Sequence, residues 1–202
     1  MSEKAHQNPD TDHEIILKCQ EGDVEAFEGI VGKYQKKMFN ISYRITGDYN
    51  DAAEVAQDAF VSAFKNIKAF KGRSRFSTWL YTIVVNLSKN RLKQTRTRSY
   101  REQMSLDDPV ETDDGQIIIE PVSNDLSALE KLEKNEIAGR VQKCIDALES
   151  GFREVIVLRD MQGFAYEEIS DMLNTAAGTV KSRLHRAREA VKNCLKMAAG
   201  AL

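Results

Sequence analysis

The amino-acid sequence predicts an all-α fold. Apolar residues recur at spacings of three and four along most of the chain, which is the period of an amphipathic helix. Only three prolines occur in 202 residues, and stretches that alternate apolar with polar residues, as a half-buried strand does, are few. The charged share of 30% is slightly high, as in other helix-rich chains. We therefore expect two small helical domains joined by a flexible acidic linker.

The composition also argues against a disulfide framework, a metal site and a membrane span. Three cysteines, Cys19, Cys144 and Cys194, are far apart and include no CxxC pair, so we expect free thiols, not a disulfide framework, and none that senses redox state. The three histidines are scattered as well, and we expect neither a metal nor a cofactor. No apolar run approaches the roughly 20 residues of a membrane span. The polar N-terminus lacks a signal-peptide pattern, and the expected location is cytoplasmic, without membrane insertion.

The first domain is predicted to span residues 13–100, after a disordered tail of residues 1–12. A break at Gly22–Asp23 precedes a long helix that Asp23 caps, and Gly47–Asp48 separates that helix from the next. The apolar stripes of these helices are assigned to the core. They comprise Phe27, Ile30, Val31, Tyr34, Met38, Ile41 and Ile45, then Ala52, Val55, Ala56, Ala59, Phe60, Ala63, Phe64, Ile67 and Phe70.

The C-terminal part of this domain is basic. Residues 59–101 contain eleven Lys and Arg and no Asp or Glu, with aromatic residues interleaved. Basic side chains bind phosphates, and aromatic faces stack on unpaired bases. Alternatively, the aromatics are core and the charges are merely solvated, which we expect for most of the aromatics. A solvated face usually mixes both signs, so the run as a whole favours a nucleic-acid partner despite a net charge of −2.

The linker is predicted at residues 101–126. Residues 102–125 contain eight acidic residues, no Lys or Arg, and both Pro109 and Pro121. Such a composition favours a chain without regular structure.

The second domain is predicted to span residues 127–202. Ser127 and Glu130 fit a capping box at its start. A short helix at Tyr166–Leu173, a turn at Asn174 and a second helix from about Gly178 have the layout of a helix-turn-helix. The second helix carries an apolar stripe and, opposite to it, a basic face. Its candidate base-contacting residues are Lys181, Ser182, His185 and Arg186, with Arg183 and Arg188 as candidate phosphate contacts. The alternative is an amphipathic hairpin whose basic face is only solvated.

Two stretches carry a more specific signal. The string YEEIS, followed by AGTVKSRLHRARE, closely resembles the region-4 helix-turn-helix of extracytoplasmic-function (group IV) sigma factors of bacterial RNA polymerase. The stretch DYNDAAEVAQDAFVSAFKNIKAFKGRSRFSTWLYTIVVNLSKNRLK resembles region 2 of the same family. The chain departs from the usual pattern at LESG, where Leu-Pro is common, and at Ala165, where Ser or Thr usually caps the helix.

The resemblance implies roles for individual residues. The helix that contains Asp51, Glu54, Gln57 and Asp58 would bind core polymerase at its β′ clamp helices, and the second domain would meet the β flap. Arg159 matches a position that contacts −35 DNA. The resemblance assigns the remaining residues to the −10 element. Near a flipped base it places Lys71, Arg73, Ser74, Phe76 and Trp79, and along the melted strand Asn86, Lys89, Asn90 and Lys93.

The implied function is promoter-specific initiation by a dissociable polymerase subunit, with an anti-sigma factor, possibly membrane-bound, as a further partner. The chain is expected not to be an enzyme, because no nucleophile–base pair or phosphate-binding glycine loop occurs. Two alternatives remain. One is a stand-alone helix-turn-helix regulator, and the other is a sigma-like decoy that sequesters an anti-sigma factor.

Overall fold

The protein is helical throughout the part that the structure describes. The computed structural model describes the backbone of residues 12–105 and 128–200, and the side chains of residues 12–98 and 136–198. Within these ranges the chain forms helices and no strand, which confirms the predicted fold class. The helices are α1 (His13–Glu21), α2 (Val24–Thr46), α3 (Tyr49–Asn66), α4 (Phe76–Ser105), α5 (Ala128–Asp146), α6 (Ser150–Ile156), α7 (Tyr166–Leu173) and α8 (Ala177–Gly200). A 3₁₀ turn, Ile67–Ala69, follows α3, and a π-helical turn, Val157–Met161, continues α6.

The predicted helix boundaries in the first half are confirmed by their caps. The side chain of Asp23 accepts a hydrogen bond from the backbone N–H of Ala26 at 3.0 Å, at the start of α2. Asp48 does the same for Asp51 at 2.8 Å, at the start of α3. Gly47 ends α2 with φ +81°, a left-handed conformation that glycine adopts without strain.

Helices α1–α4 form the first bundle. Here α2, α3 and α4 pack against one another, and α1 lies against α2. Each helix contributes an apolar stripe, and the side chains that are completely buried include Met38, Ile41, Ile45, Ala59, Phe76 and Leu80. The assignment of Phe64 to the core is wrong, because its side chain is 41% exposed and contacts the buried Phe27 only edge to face, with the ring centres 5.0 Å apart. In the second group, α8 packs against α5, α6 and α7.

The two groups of helices pack against each other. Helix α2 contacts α5 and α6, and α4 contacts α7. At the junction, the Arg44 Nη1 donates to the Gln142 Oε1 at 2.7 Å, and the buried Arg153 donates to the carbonyl oxygen of Ile45 at 2.8 Å. The buried apolar residues of both groups form one continuous cluster.

The predicted domain boundaries remain predictions. Helix α4 continues through Ser105, past the predicted linker start at residue 101. The rest of the linker lies outside the described residues, as do the tail up to residue 11 and the side chain of Ser127.

The prediction of three free thiols is wrong for Cys144 and Cys194. These residues form a disulfide between α5 and α8, with their Cα atoms 5.8 Å apart, although they are 50 positions apart in the sequence. The sequence did not predict this disulfide, because only the side-by-side packing of α5 and α8 brings the two residues together. The prediction is confirmed for Cys19, which is a free and buried thiol in α1.

We predict that Gly47→Ala destabilises the protein more than Gly72→Ala. Both glycines have a positive φ, of +81° and +67°, so either substitution costs about 1–2 kcal/mol of backbone strain. At Gly47 an added Cβ would also lie 2.9 Å from the Asp146 Oδ1, whereas at Gly72 nothing lies within 4 Å. Overpacking adds about 1 kcal/mol or more.

The measurement is the free energy of unfolding of both variants in urea. Equal losses would show that the Asp146 carboxylate moves aside freely and that α2 and α5 do not pack tightly at this point.

Candidate nucleic-acid interface

The predicted base-contacting residues share one exposed face of α8. Helical neighbours lie three or four positions apart, and this spacing relates Lys181 to His185 and Ser182 to Arg186. All four side chains are exposed. The opposite side of the helix is buried through Val180, Leu184 and Ala187. The arrangement places a basic, unobstructed surface at the N-terminal half of α8.

The turn before α8 fixes the angle between α7 and α8. Asn174 has φ +47°, the left-handed conformation that its sequence position predicts. The Ser170 hydroxyl donates to the carbonyl oxygen of Thr175 at 2.6 Å and closes the turn. At the start of α7, Glu168 accepts a hydrogen bond from the backbone N–H of Ala165 at 2.9 Å. This contact supplies half of a capping box, and Ala165 cannot supply the other half.

Tyr166 contacts two of the predicted DNA-binding side chains, Arg159 and Lys181. The sequence interpretation assigned Tyr166 no role. The Arg159 guanidinium lies 4.7 Å from the centre of its ring, and the Lys181 Nζ lies 5.4 Å from it. The Arg159 Nη1 also donates to the carbonyl oxygen of Phe164 at 2.7 Å. Cations over an aromatic face are held by its quadrupole, so the ring joins Arg159 to the exposed face of α8.

The two other predicted phosphate contacts lie close to other parts of the chain. Arg188 binds Asp160 with two hydrogen bonds, of 2.8 and 2.5 Å. This pairing raises the pKa of Arg188 above its usual range. The guanidinium of the half-buried Arg183 lies near Gly151, where an added Cβ would be 3.5 Å away. Neither contact buries the arginine completely, so both remain at the surface.

The second predicted surface is formed by the loop after the 3₁₀ turn and by α4. Lys71, Arg73 and Ser74 are exposed in the loop. Along α4, Asn86, Asn90 and Lys93 are exposed, and Trp79 is half-buried. Residues seven apart lie two turns along the same helix face, so Trp79, Asn86 and Lys93 form a line that starts at the loop.

Phe76 differs from the other residues of this predicted set. Its side chain is completely buried, with the ring centres of Phe70 and Trp79 at 5.4 and 5.5 Å and that of Tyr34 at 6.1 Å. In this arrangement Phe76 has no face open to a base. Instead it packs against the half-buried ring of Trp79.

Part of the α4 surface is covered by the second group of helices. The Lys89 Nζ lies 3.4 Å from the Oε2 of Glu154, a buried residue of α6. The Thr78 hydroxyl donates to Glu168 at 3.4 Å. Burial raises the pKa of Glu154, and Lys89 partly offsets the rise. One predicted strand-contacting residue is therefore already engaged within the chain.

A lysine at the junction reinforces this packing. The Lys37 Nζ lies 5.0 Å from the ring centre of Tyr81 and 4.8 Å from that of Phe164. Burial lowers its pKa, and Glu168 partly offsets the change. Burial also raises the pKa of Tyr81 to about 12, so its hydroxyl remains protonated at neutral pH.

The predicted polymerase-binding residues lie on α3. Asp51 and Glu54 both pair with Arg91 of α4, and the Arg91–Asp51 distance is 3.5 Å. Gln57 and Asp58 are exposed. The two pairs of residues therefore differ, because Asp51 and Glu54 share an ion-pair partner on α4, although Glu54 is also exposed.

Two further properties concern the described residues only. No group of three or more His, Cys, Asp or Glu side chains is arranged to hold a metal ion there. None of the helices in those ranges combines the length and the apolar character that crossing a membrane requires.

Comparison with known proteins assigns both surfaces to one family. The Sigma-70 region 2 profile matches residues 30–98, and the Sigma-70, region 4 profile matches residues 138–191. The chain is 33% identical to the RNA polymerase sigma-H factor of Pseudomonas aeruginosa over 185 residues, which are 92% of this chain and 94% of that protein. The chain belongs to the extracytoplasmic-function (ECF) sigma factors of the sigma-70 family.

Other ECF sigma factors show the same full-length similarity. The chain is 34% identical to SigW of Bacillus subtilis over 90% of this chain and 95% of that protein. It is also similar to the sigma factor RpoE of Bartonella quintana, solved in complex with the anti-sigma factor NepR. That structure has 25% identity and a TM-score of 0.64, and the match covers 86% of this chain and 98% of the other. The fold of CnrH, solved with the cytosolic domain of CnrY, matches with a TM-score of 0.65 at 21% identity, over 92% of this chain and 97% of that one.

We predict that Glu154 makes the stability of this ECF sigma factor depend on pH. Burial raises the pKa of its carboxyl, so the folded protein binds the proton more tightly than the unfolded chain. The contribution of Glu154 to the free energy of unfolding is then fully present below the usual Glu pKa and is lost as pH rises through the raised value. Asp146, whose pKa is also raised by burial, acts in the same direction.

Urea unfolding at a series of pH values checks this prediction. Glu154→Gln should flatten the pH dependence, whereas Glu167→Gln, at an exposed position on α7, should retain it. Identical pH profiles for the wild type and Glu154→Gln would contradict the assignment.

Proposed function

We propose that this protein binds core RNA polymerase in the cytoplasm and directs promoter-specific initiation, with α8 contacting the −35 element and α4 contacting the melted −10 strand. The observation that carries the proposal is the similarity to sigma factors along 90% or more of the chain. The region of similarity includes both basic surfaces and the segment of the chain between them. A stand-alone regulator with a helix-turn-helix would not require the basic surface of α4.

The exposed face of α8 supports the −35 assignment. Arg and Lys side chains at the N-terminal part of a recognition helix reach guanine edges in the major groove. Lys181, Ser182, His185 and Arg186 are the proposed base contacts. Arg159, Arg183 and Arg188 surround that face and are the proposed phosphate contacts, because a guanidinium can exchange a surface partner such as Asp160 for a phosphate.

The loop and α4 support the −10 assignment. An unpaired base requires a surface for stacking and donors for its edge. The half-buried ring of Trp79 and the exposed loop residues Lys71, Arg73 and Ser74 can supply both. Asn86, Asn90 and Lys93 then follow the strand along the helix. We assign Phe76 to the support of Trp79 and not to direct contact, because it is completely buried.

The proposed polymerase contacts are Asp51, Glu54, Gln57 and Asp58 on α3 for the β′ clamp helices, together with the second group of helices for the β flap. Lys89 contacts DNA only after it leaves Glu154 of α6, and we propose that the two groups of helices separate when the protein acts. We further propose that an anti-sigma factor binds this protein. The Bartonella quintana sigma factor solved with its anti-sigma factor is similar over most of the chain and supports this partner.

We predict that a double variant with both Lys181→Ala and Arg186→Ala loses promoter-specific transcription. Each lost base contact costs about 1–3 kcal/mol, so the double variant should lose about 2 kcal/mol or more, which is roughly 30-fold or more in affinity for a −35 duplex. The measurement is run-off transcription with purified core polymerase on a pool of promoters. The matched control is Lys196→Ala, an exposed lysine farther along α8, which should retain the transcripts.

The same experiment tests the alternatives. A decoy that sequesters an anti-sigma factor would bind its partner and give no transcript with any variant. A stand-alone regulator would bind duplex DNA without polymerase and would not bind the core enzyme. Failure to bind core polymerase would overturn the proposed function.

We predict that Asn86→Ala combined with Lys93→Ala weakens binding to melted −10 DNA but not to the −35 duplex. Each phosphate contact removed from a single strand lowers the dependence of log K on log salt by about 0.7. The measurement is binding of the polymerase complex to a promoter with a pre-melted −10 region, at several salt concentrations. Lys36→Ala, at an exposed site on α2, is the control. An unchanged dependence of binding on salt would show that Lys93 does not contact a phosphate of the melted strand.

A further inference from the structure

The disulfide between Cys144 and Cys194 joins two helices that also pack without it. Helix α5 contacts α8, and Ile145, next to Cys144, belongs to the buried core. Val191, one turn before Cys194, packs against the same core. Because this packing holds the two positions together, reduction leaves the thiols adjacent and able to pair again. Their Cα separation of 5.8 Å lies in the range that a disulfide requires.

The two sulfur atoms differ in their access to solvent. Cys144 is 3% exposed, whereas Cys194 is only partly buried near the end of α8. A solute oxidant or thiol therefore reaches Cys194 first, and Cys144 is placed to resolve the product. Cys19 lies apart from this pair, in the buried face of α1, and burial raises its pKa, which disfavours the reactive thiolate.

We propose that Cys144 and Cys194 form a reversible thiol–disulfide site whose oxidation holds α5 on α8 and keeps the two groups of helices packed together. Where glutathione keeps thiols reduced, a protein disulfide is usually transient and responds to oxidants. The site takes a peroxide as its oxidant and a small or protein dithiol as its reductant.

The chemistry balances over two electrons. Cys194 as thiolate attacks hydrogen peroxide, the O–O bond breaks, and with one proton the products are a sulfenic acid and water. The Cys144 thiolate then attacks the Cys194 sulfur, and hydroxide leaves and takes a proton to become a second water. For the reverse reaction, a dithiol attacks Cys194, forms a mixed disulfide and is itself oxidised as both cysteine thiols are restored.

The effect on the fold follows from the position of α5 between α8 and α2. Gln142 accepts a hydrogen bond from Arg44 of α2, and the Asp146 carboxylate lies against Gly47 at the end of α2. With the thiols reduced, the second group can leave the first either together with α5, which then parts from α2, or without α5, which then stays on α2 and parts from α8. The disulfide removes the second route. Oxidation therefore disfavours separation and keeps Lys89 on Glu154.

The chemical part is tested on the intact protein, reduced and freed of reductant, then treated with one equivalent of hydrogen peroxide. We expect the mass to fall by two hydrogen atoms and two of the three thiols to be lost, with recovery in excess dithiothreitol. Cys19→Ser should behave in the same way, whereas Cys144→Ser and Cys194→Ser should not form the bond. Persistence of three thiols, or a bond that dithiothreitol does not break in the folded protein, would overturn the proposal.

The conformational part is tested by hydrogen–deuterium exchange of the α4 segment around Lys89, which reports separation without polymerase. The exchange rate of this segment should be at least about fivefold lower in the oxidised protein. This is the smallest effect that two coupled sites typically have on each other. Cys19→Ser should show the same difference, and Cys194→Ser should show none. Equal exchange in the two redox states of the wild type would contradict the link between the disulfide and separation.

Run-off transcription extends the test, with the protein oxidised beforehand and the peroxide removed before polymerase is added. This arm rests on the proposed function. Reduced protein should be more active than oxidised protein, and Cys194→Ser should be insensitive to the pretreatment. Reduced protein that is inactive on every promoter would overturn the proposed function. The exchange experiment would still test the redox site in that case, because it does not involve polymerase. Equal activity in both states would overturn the regulatory inference alone.

Discussion

The packing of the two groups of helices depends on one buried guanidinium. Arg153 is 2% exposed, and it donates hydrogen bonds to the carbonyl oxygens of Ile45 and Asp146. These carbonyls lie at the C-terminal ends of α2 and α5, where the helix dipole favours a positive charge. Burial lowers the pKa of Arg153, and Asp146 partly offsets the change. Removing one partner of such a buried charge costs about 3–5 kcal/mol, so Arg153 joins α2, α5 and α6 at one buried point of the junction.

This junction links the packing of the helices to the availability of the DNA surfaces. Because Arg153 holds α6 at the end of α2, the neighbouring Glu154 lies within 3.4 Å of Lys89 on α4. Glu168 of α7 reaches Thr78 on the same helix. The exposed face of α8 is not covered, since Lys181, Ser182, His185 and Arg186 are all exposed. The packed arrangement thus leaves one proposed DNA surface open and covers part of the other.

Local features of the fold were predictable from the sequence. Asp23 was predicted as a cap, Gly47–Asp48 as a helix boundary and Asn174 as a turn residue, because each depends on backbone groups within a few positions. The candidate −35 face was predictable for the same reason, since Lys181 and His185 are one helical turn apart. Phe76 was assigned to a base, yet it is buried. Whether an aromatic ring packs inward or stays exposed depends on its neighbours in space, here Tyr34 and Phe70.

By itself, the sequence determined the helices, their buried stripes, the turn before α8 and the separation of basic from acidic segments. These features follow from the 3.6-residue period and from short-range backbone hydrogen bonding. Only the tertiary structure decided the Cys144–Cys194 disulfide, the contact of Lys89 with Glu154, and the position of Tyr166 between Arg159 and Lys181. In the first two cases the partners lie 50 or more positions apart, and in the third they belong to three different helical segments. Which residues meet across such distances is determined by how whole helices pack, because no local pattern encodes it.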